Sequence, residues 1–180
     1  MIDPELKKIK DYILSIPKFN LKIAKAAFDA IDFTLDRKRT GFTQMSDLTK
    51  TEKSIIGIKF ERYLILEANL KDGDSLDCSY QGIDFDIKFT ALKNPQWYIP
   101  PECYRIEGIC LLTKVIDANE VEYGLLRTSK NNLTNGMNRD KKLSVSKEGK
   151  KNIEWLGSAT RQQIRPAWKK FLGVNKWKLF

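Results

Sequence analysis

At 180 residues and 42% hydrophobic content, the chain is long enough to bury the core of one globular domain without disulfide or metal staples. It contains no histidine, which excludes histidine-based metal sites, Ser/His and Cys/His catalytic pairs and every nuclease class with a histidine base. The formal net charge of +9 is uneven: residues 138–180 hold 12 Lys/Arg against 3 Asp/Glu, and residues 1–137 hold 20 against 20.

In chain order, Pro4 opens a helical pattern to Ile16, with Leu6, Ile9, Tyr12 and Ile13 at three- and four-residue spacing. A second helix is expected from about Leu21 to Leu35, interrupted by the basic stretch Asp36 to Gly41, which reads as a loop able to touch a phosphate backbone. Ser46 or Thr51 could cap a third helix that continues to about Asn69. Glu61 lies on it among Gly57, Ile58, Leu64 and Ile65, so its carboxylate projects from an apolar stripe.

A turn at Lys71 to Asp74 leads to two short strands, Ser75 to Tyr80 and Ile83 to Thr90, joined tightly at Gln81-Gly82. Alternation in the second puts Ile83, Phe85, Ile87 and Phe89 on one face, read as core, and Asp84, Asp86, Lys88 and Thr90 on the other, read as charged. Further strands are expected over Arg105 to Val115 and Glu120 to Thr128, around a turn at Asp117 to Asn119, giving at least four strands. Thr134 to Asp140 reads as a loop, followed by a short strand or helix and a Lys-rich tail broken by Pro166.

The expected organisation is a single domain over 1–180: N-terminal helices in 1–45, a core in 46–156 and a basic segment in 157–180. Trp155, Trp168 and Trp177 among the C-terminal charges favour a face that binds a polyanion over a merely solvated one. Apolar runs such as Ile109 to Leu112 are too short to span a bilayer, and the N-terminus is charged where a signal peptide is apolar. A cytoplasmic protein with no membrane partner is expected. Cys78, Cys103 and Cys110 have no C-x-x-C spacing and read as buried or idle thiols.

The chemistry therefore falls to carboxylates and lysine. Asp86 and Lys88, two apart on one strand, point the same way roughly 7 Å apart along the backbone. Asp77 lies near the end of the partner strand, and Glu61 reaches in from the preceding helix. Carboxylates converging beside an ammonium suit Mg²⁺, with the Ile87 carbonyl as a further ligand, and such a centre suits phosphodiester hydrolysis.

The order Glu61, Asp77, Asp86-Ile87-Lys88, with spacings of sixteen, nine and two residues, resembles the catalytic pattern of NaeI-type restriction endonucleases, within the PD-(D/E)XK class. Trp97-Tyr98-Ile99-Pro100-Pro101-Glu102 is similar to that family's Trp-Met-Ile-Pro-Pro-Glu run. Gly124-Leu125-Leu126-Arg127 and Asn138-Arg139-Asp140-Lys141-Lys142-Leu143-Ser144 resemble its Gly-Leu-Val-Arg and Asn-Arg-Asp-Gly-Lys segments. The similarity spans about residues 30 to 156.

The resemblance implies an α/β fold, a mixed central β-sheet flanked by helices, in a restriction-endonuclease-like core. It implies that Glu61, Asp77 and Asp86 hold Mg²⁺, for which Mn²⁺ substitutes, and that Lys88 positions or polarises the attacking water. Asn138, Arg139, Asp140, Lys141 and Arg127 become candidates for contact with double-stranded DNA, whereas Trp97 to Glu102 is expected to be structural. A homodimer would cut both strands. Family members carry a second, C-terminal DNA-binding domain, for which this chain has no room before Phe180, so a stand-alone nuclease or a separate recognition subunit is expected. The alternatives are a nicking or repair nuclease directed by a partner and a non-catalytic DNA-binding module.

Overall fold

The computed structural model describes residues 3–116 and 118–164. The N-terminal third is helical: α1 (Pro4–Ser15), α2 (Phe19–Leu35), the single turn α3 (Arg37–Thr40) and α4 (Lys50–Ala68). Asp3 caps α1 by accepting from the Leu6 N–H at 3.0 Å, with Pro4 in the first turn. The stretch expected as a loop at Asp36 to Gly41 holds α3, a helical turn set between left-handed residues, Asp36 at φ 41° and Gly41 at φ 74°. The cap of α4 is Thr49, between the two expected positions. Its hydroxyl accepts from the Glu52 N–H while the Glu52 carboxylate accepts from the Thr49 N–H, a reciprocal capping box.

The remaining elements are β1 (Lys71–Asp72), β2 (Cys78–Tyr80), β3 (Ile83–Thr90), β4 (Tyr98–Ile99), α5 (Pro101–Tyr104), β5 (Ile109–Ile116), β6 (Glu120–Arg127), β7 (Leu133–Met137), β8 (Leu143–Val145), α6 (Lys147–Lys151), β9 (Glu154–Thr160) and α7 (Arg161–Ile164). Six strands form one sheet in the order β1-β2-β3-β5-β6-β9, and β4-β8-β7 form a second. The large sheet is mixed: β3 and β5 run parallel, and its other pairs are antiparallel. Gln81 and Gly82 both have positive φ, as a two-residue type I′ hairpin between β2 and β3 requires.

Strand β2 starts three residues later than its pattern suggests. The Asp84 carboxylate accepts from the Ser75 and Leu76 N–H groups at 2.7 and 3.3 Å, which draws this stretch out of the ladder. The loop folds so tightly that a Cβ on Gly73 would lie 2.4 Å from the Leu76 carbonyl oxygen. The expected turn at Lys71 to Asp74 begins as β1, paired with β2. The loop expected over Thr134 to Asp140 is in large part β7, and only Asn138 to Lys142 remains a connection to β8.

Helices α1, α2 and α4 cover one face of the large sheet around Ile23, Phe28, Phe60, Phe85, Ile87 and Leu111. The opposite face is also roofed: Leu76, Trp97, Ile99, Cys103, Cys110, Leu112, Leu126 and Val145 form a second cluster beneath β4, β7, β8 and α5. The face of β3 read as charged does carry Asp86 and Lys88, but it is packed as well, with Asp86 and Thr90 nearly as buried as Phe85 and Ile87. Among the described residues no helix is long and apolar enough to cross a membrane. Asp117, Pro166, Trp168, Trp177 and the rest of 165–180 lie outside the described residues.

Candidate active site

Strand β3 carries Asp86 and Lys88 on the face that looks toward the second sheet, opposite Cys110 and Leu112 of β5. The Lys88 ammonium donates to Asp86 Oδ1 at 2.7 Å and to the Ile87 carbonyl at 3.0 Å, and lies 3.5 Å from Asp77 Oδ2. Asp77 sits one residue ahead of β2, at the end of the loop that Asp84 shapes. Its Oδ2 accepts from the Ile87 N–H at 2.7 Å, which fixes this carboxylate to the middle of β3. Glu61 approaches from α4, half-buried, near enough to Asp77 to feel its charge.

The electrostatics are set by crowding. Burial, then the close approach and negative charge of Asp77, raise the Asp86 pKa. At Asp77 burial acts in the same sense but is outweighed by its interactions with neighbouring Asp86, with Lys88 and with the Ile87 N–H, so its pKa is lowered. Burial, then repulsion from Asp77, raises that of Glu61. Burial alone would discharge Lys88, yet the Asp86 and Asp77 carboxylates overcome it and hold the ammonium charged.

Asp86 is 3% exposed, and its Oδ2 is buried with no hydrogen-bond partner, a costly arrangement for a carboxylate. A hard divalent cation is the partner this oxygen-rich, mutually repelling donor set fits: Asp77, Asp86 and the Ile87 carbonyl could hold it, with Glu61 closing from α4. Among the described residues, the acidic or thiol group with all ligand atoms within 4.8 Å of one another is Asp86, Cys103 and Cys110, not the three carboxylates. Both thiols are buried. Their meeting with Asp86 depends on β5 lying parallel beside β3, a pairing that local sequence patterns do not carry.

The other expected site residues are spread out. Arg127, at the end of β6, is engaged within the chain: its guanidinium grips both Asp3 oxygens at 2.8 Å, Glu5 at 3.0 Å and the Glu107 carbonyl at 3.0 Å. Asn138 shapes the β7–β8 connection, its Oδ1 accepting from the Asp140 and Lys142 N–H groups at 2.9 Å each. Lys141 takes a left-handed φ of 59°, with its carbonyl bound by the Tyr104 hydroxyl. The Arg139 side chain is 97% exposed beside Asp140. Trp97 is buried, with its indole N–H on the Thr113 carbonyl at 3.0 Å, whereas Tyr98 is exposed.

Comparison with known proteins finds similarity over most of the chain. The sequence profile of the family described as "Restriction endonuclease NaeI" matches residues 15–163. The chain is 29% identical over 152 residues to the Type II restriction enzyme NaeI of Lentzea aerocolonigenes, an alignment covering 84% of this chain and 47% of that relative. The chain thus spans about half the length of the relative it matches.

Proposed function

Because the chain belongs to the NaeI restriction endonuclease family, we propose that it is a Mg²⁺-dependent endonuclease hydrolysing phosphodiester bonds of double-stranded DNA, as a site-specific type II restriction enzyme does. The observation that carries this reading is the cluster of Asp77, Asp86 and Lys88 on and against β3, with one buried Asp86 oxygen lacking any partner. Asp77, Asp86, Glu61 and the Ile87 carbonyl are the proposed ligands of Mg²⁺, which Mn²⁺ can replace. Bound there, the cation would supply positive charge against the phosphate's developing negative charge and would lower the pKa of water.

The chain's own groups do the rest. Lys88, kept protonated by its two carboxylates, can hand a hydrogen bond to the attacking water or to a phosphate oxygen. The Ile87 N–H holds Asp77 in place and in its charged form. The roof of β4, β7, β8 and α5 limits water around Asp86, which strengthens each of these interactions. In-line attack leaves 5′-phosphate and 3′-hydroxyl ends.

Arg139 and Lys141 are proposed to contact the DNA backbone from the β7–β8 connection, with Asp140 beside them and Asn138 shaping the turn. Arg127, bound to Asp3 and Glu5, is assigned instead to anchoring α1. A two-fold homodimer would bring one such centre to each strand, in the cytoplasm where DNA is accessible. Since the chain matches about half of its relative, sequence recognition is proposed to be shared with a further domain or a separate subunit.

The test is incubation of purified protein with supercoiled plasmid in Mg²⁺ or in EDTA. Discrete linear fragments in Mg²⁺ alone are expected. Nicked circles alone would favour a nuclease directed by a partner, and untouched plasmid in both Mg²⁺ and Mn²⁺ would refute hydrolysis by this chain.

A further inference from the structure

On the side of Asp86 away from α1, α2 and α4 lie two thiols that the hydrolytic reading does not use. Cys110 sits on β5 directly opposite Asp86 in the β3–β5 ladder, and Cys103 comes from α5. Their sulfurs are 3.5 Å apart, both residues are 0% exposed, and the ligand atoms of Asp86, Cys103 and Cys110 all lie within 4.8 Å of one another. Two sulfurs each about 2.3 Å from a tetrahedral zinc ion stand ~3.8 Å apart, close to the spacing already present. The backbone makes room for this pair: a Cβ at Gly108 would fall 3.0 Å from the Cys103 sulfur.

The third donor is the same unpartnered carboxylate oxygen that the hydrolytic centre uses, here seen from the side of the two thiols. Asp86 is 3% exposed and its Oδ2 has no hydrogen-bond partner, so a buried oxygen lacks a counterpart beside the two sulfurs. Mg²⁺ prefers oxygen donors and has little use for thiols, whereas Zn²⁺ and Cd²⁺ take thiolate and carboxylate together.

We propose that Asp86, Cys103 and Cys110 form a second cation site, selective for thiophilic divalent ions of the Zn²⁺ class, and that its occupation withdraws Asp86 from the hydrolytic centre. As each sulfur binds, its S–H bond breaks heterolytically, the proton passes to solvent and the electron pair forms the sulfur–metal bond; nothing is oxidised or reduced. Water completes the fourth position. Because Lys88 holds Asp86 Oδ1 at 2.7 Å, both occupancies call on the unpartnered Oδ2 and therefore compete for it. That inhibitory consequence rests on the proposed hydrolytic function, while the binding itself does not.

The test is a Cd²⁺ titration of the folded chain under a non-thiol reductant, following the ultraviolet cadmium–thiolate absorption and the thermal unfolding midpoint. The wild type and Cys78→Ala should develop the band to one equivalent, with an intensity of two thiolates per ion and a raised midpoint, while Cys103→Ala/Cys110→Ala should show neither. No band in the wild type, or an undiminished band in the double variant, overturns the site. If the double variant does not fold, the thiolate count per cadmium in the wild type decides.

With excess Mg²⁺, one equivalent of Zn²⁺ should slow plasmid cleavage at least about tenfold, the lower end of what disturbing a metal ligand's surroundings costs, and should spare the double variant. Equal inhibition of both proteins overturns the coupling. A cadmium band from protein that never cleaves DNA would count against the hydrolytic function and leave the site standing.

Discussion

Replacing Asp86 with asparagine should stabilise the metal-free protein while it abolishes cleavage. The carboxylate is 3% exposed, faces Asp77 and leaves Oδ2 without a partner. An amide in its place can donate to the Asp77 carboxylate while its oxygen still accepts from Lys88. A bond to a charged group contributes roughly 1.5–3 kcal/mol, and the weaker hold on Lys88 offsets part of it, leaving a net gain of about 1–2 kcal/mol where the wild-type carboxyl is ionised.

The pH dependence gives the sign. Burial, with Asp77, raises the Asp86 pKa from 3.8 to about 8, so the folded state binds the proton more tightly than the unfolded chain, and wild-type stability falls as pH rises through that window. Asparagine has no proton to lose, so its advantage should widen from about pH 4 to about pH 8. Urea denaturation in EDTA, at matched slopes, measures the difference. A variant no more stable than wild type at the upper end would refute the claim that Asp86 is held against its charge.

Asp3→Ala removes both the α1 cap and the partner of Arg127, and should cost about 2 kcal/mol by chemical denaturation. The Arg127 bond, against a smaller opposing effect of burial, lowers the Asp3 pKa, so this contribution is present at neutral pH and should be lost as pH falls through that lowered value. Arg139→Ala should weaken DNA binding uniformly across sequences and reduce the salt slope by about 1, with stability unchanged in the same denaturation assay. Trp97→Ala, emptying the roof over β5 and removing the indole donor to the Thr113 carbonyl, should cost roughly 3–5 kcal/mol.

The elements that could be read from sequence are those whose signal is local. Strand β3 announces itself by strict alternation, and the β2–β3 hairpin by a glycine in a two-residue turn. The Thr49/Glu52 box was equally local but lay between two competing candidate caps. What escaped reading depends on contacts distant along the chain. The late start of β2 comes from Asp84 capturing two N–H groups nine and eight residues away. The burial of Asp86 comes from a second sheet assembled from β4, β7 and β8. Spacing brought Asp86 and Lys88 together correctly because two residues on one strand share a face, whereas the approach of Cys103 and Cys110 follows from the parallel β3–β5 pairing.

The most direct measurement is single-turnover plasmid cleavage in Mg²⁺ by wild type and Lys88→Ala, with DNA binding followed in parallel. The variant should cut roughly 10²–10³-fold more slowly, the scale of losing one donor to a developing charge, while binding DNA comparably. Cleavage by Lys88→Ala within about threefold of wild type, too small a change for such a donor, would contradict the assignment of the β3 cluster as the hydrolytic centre.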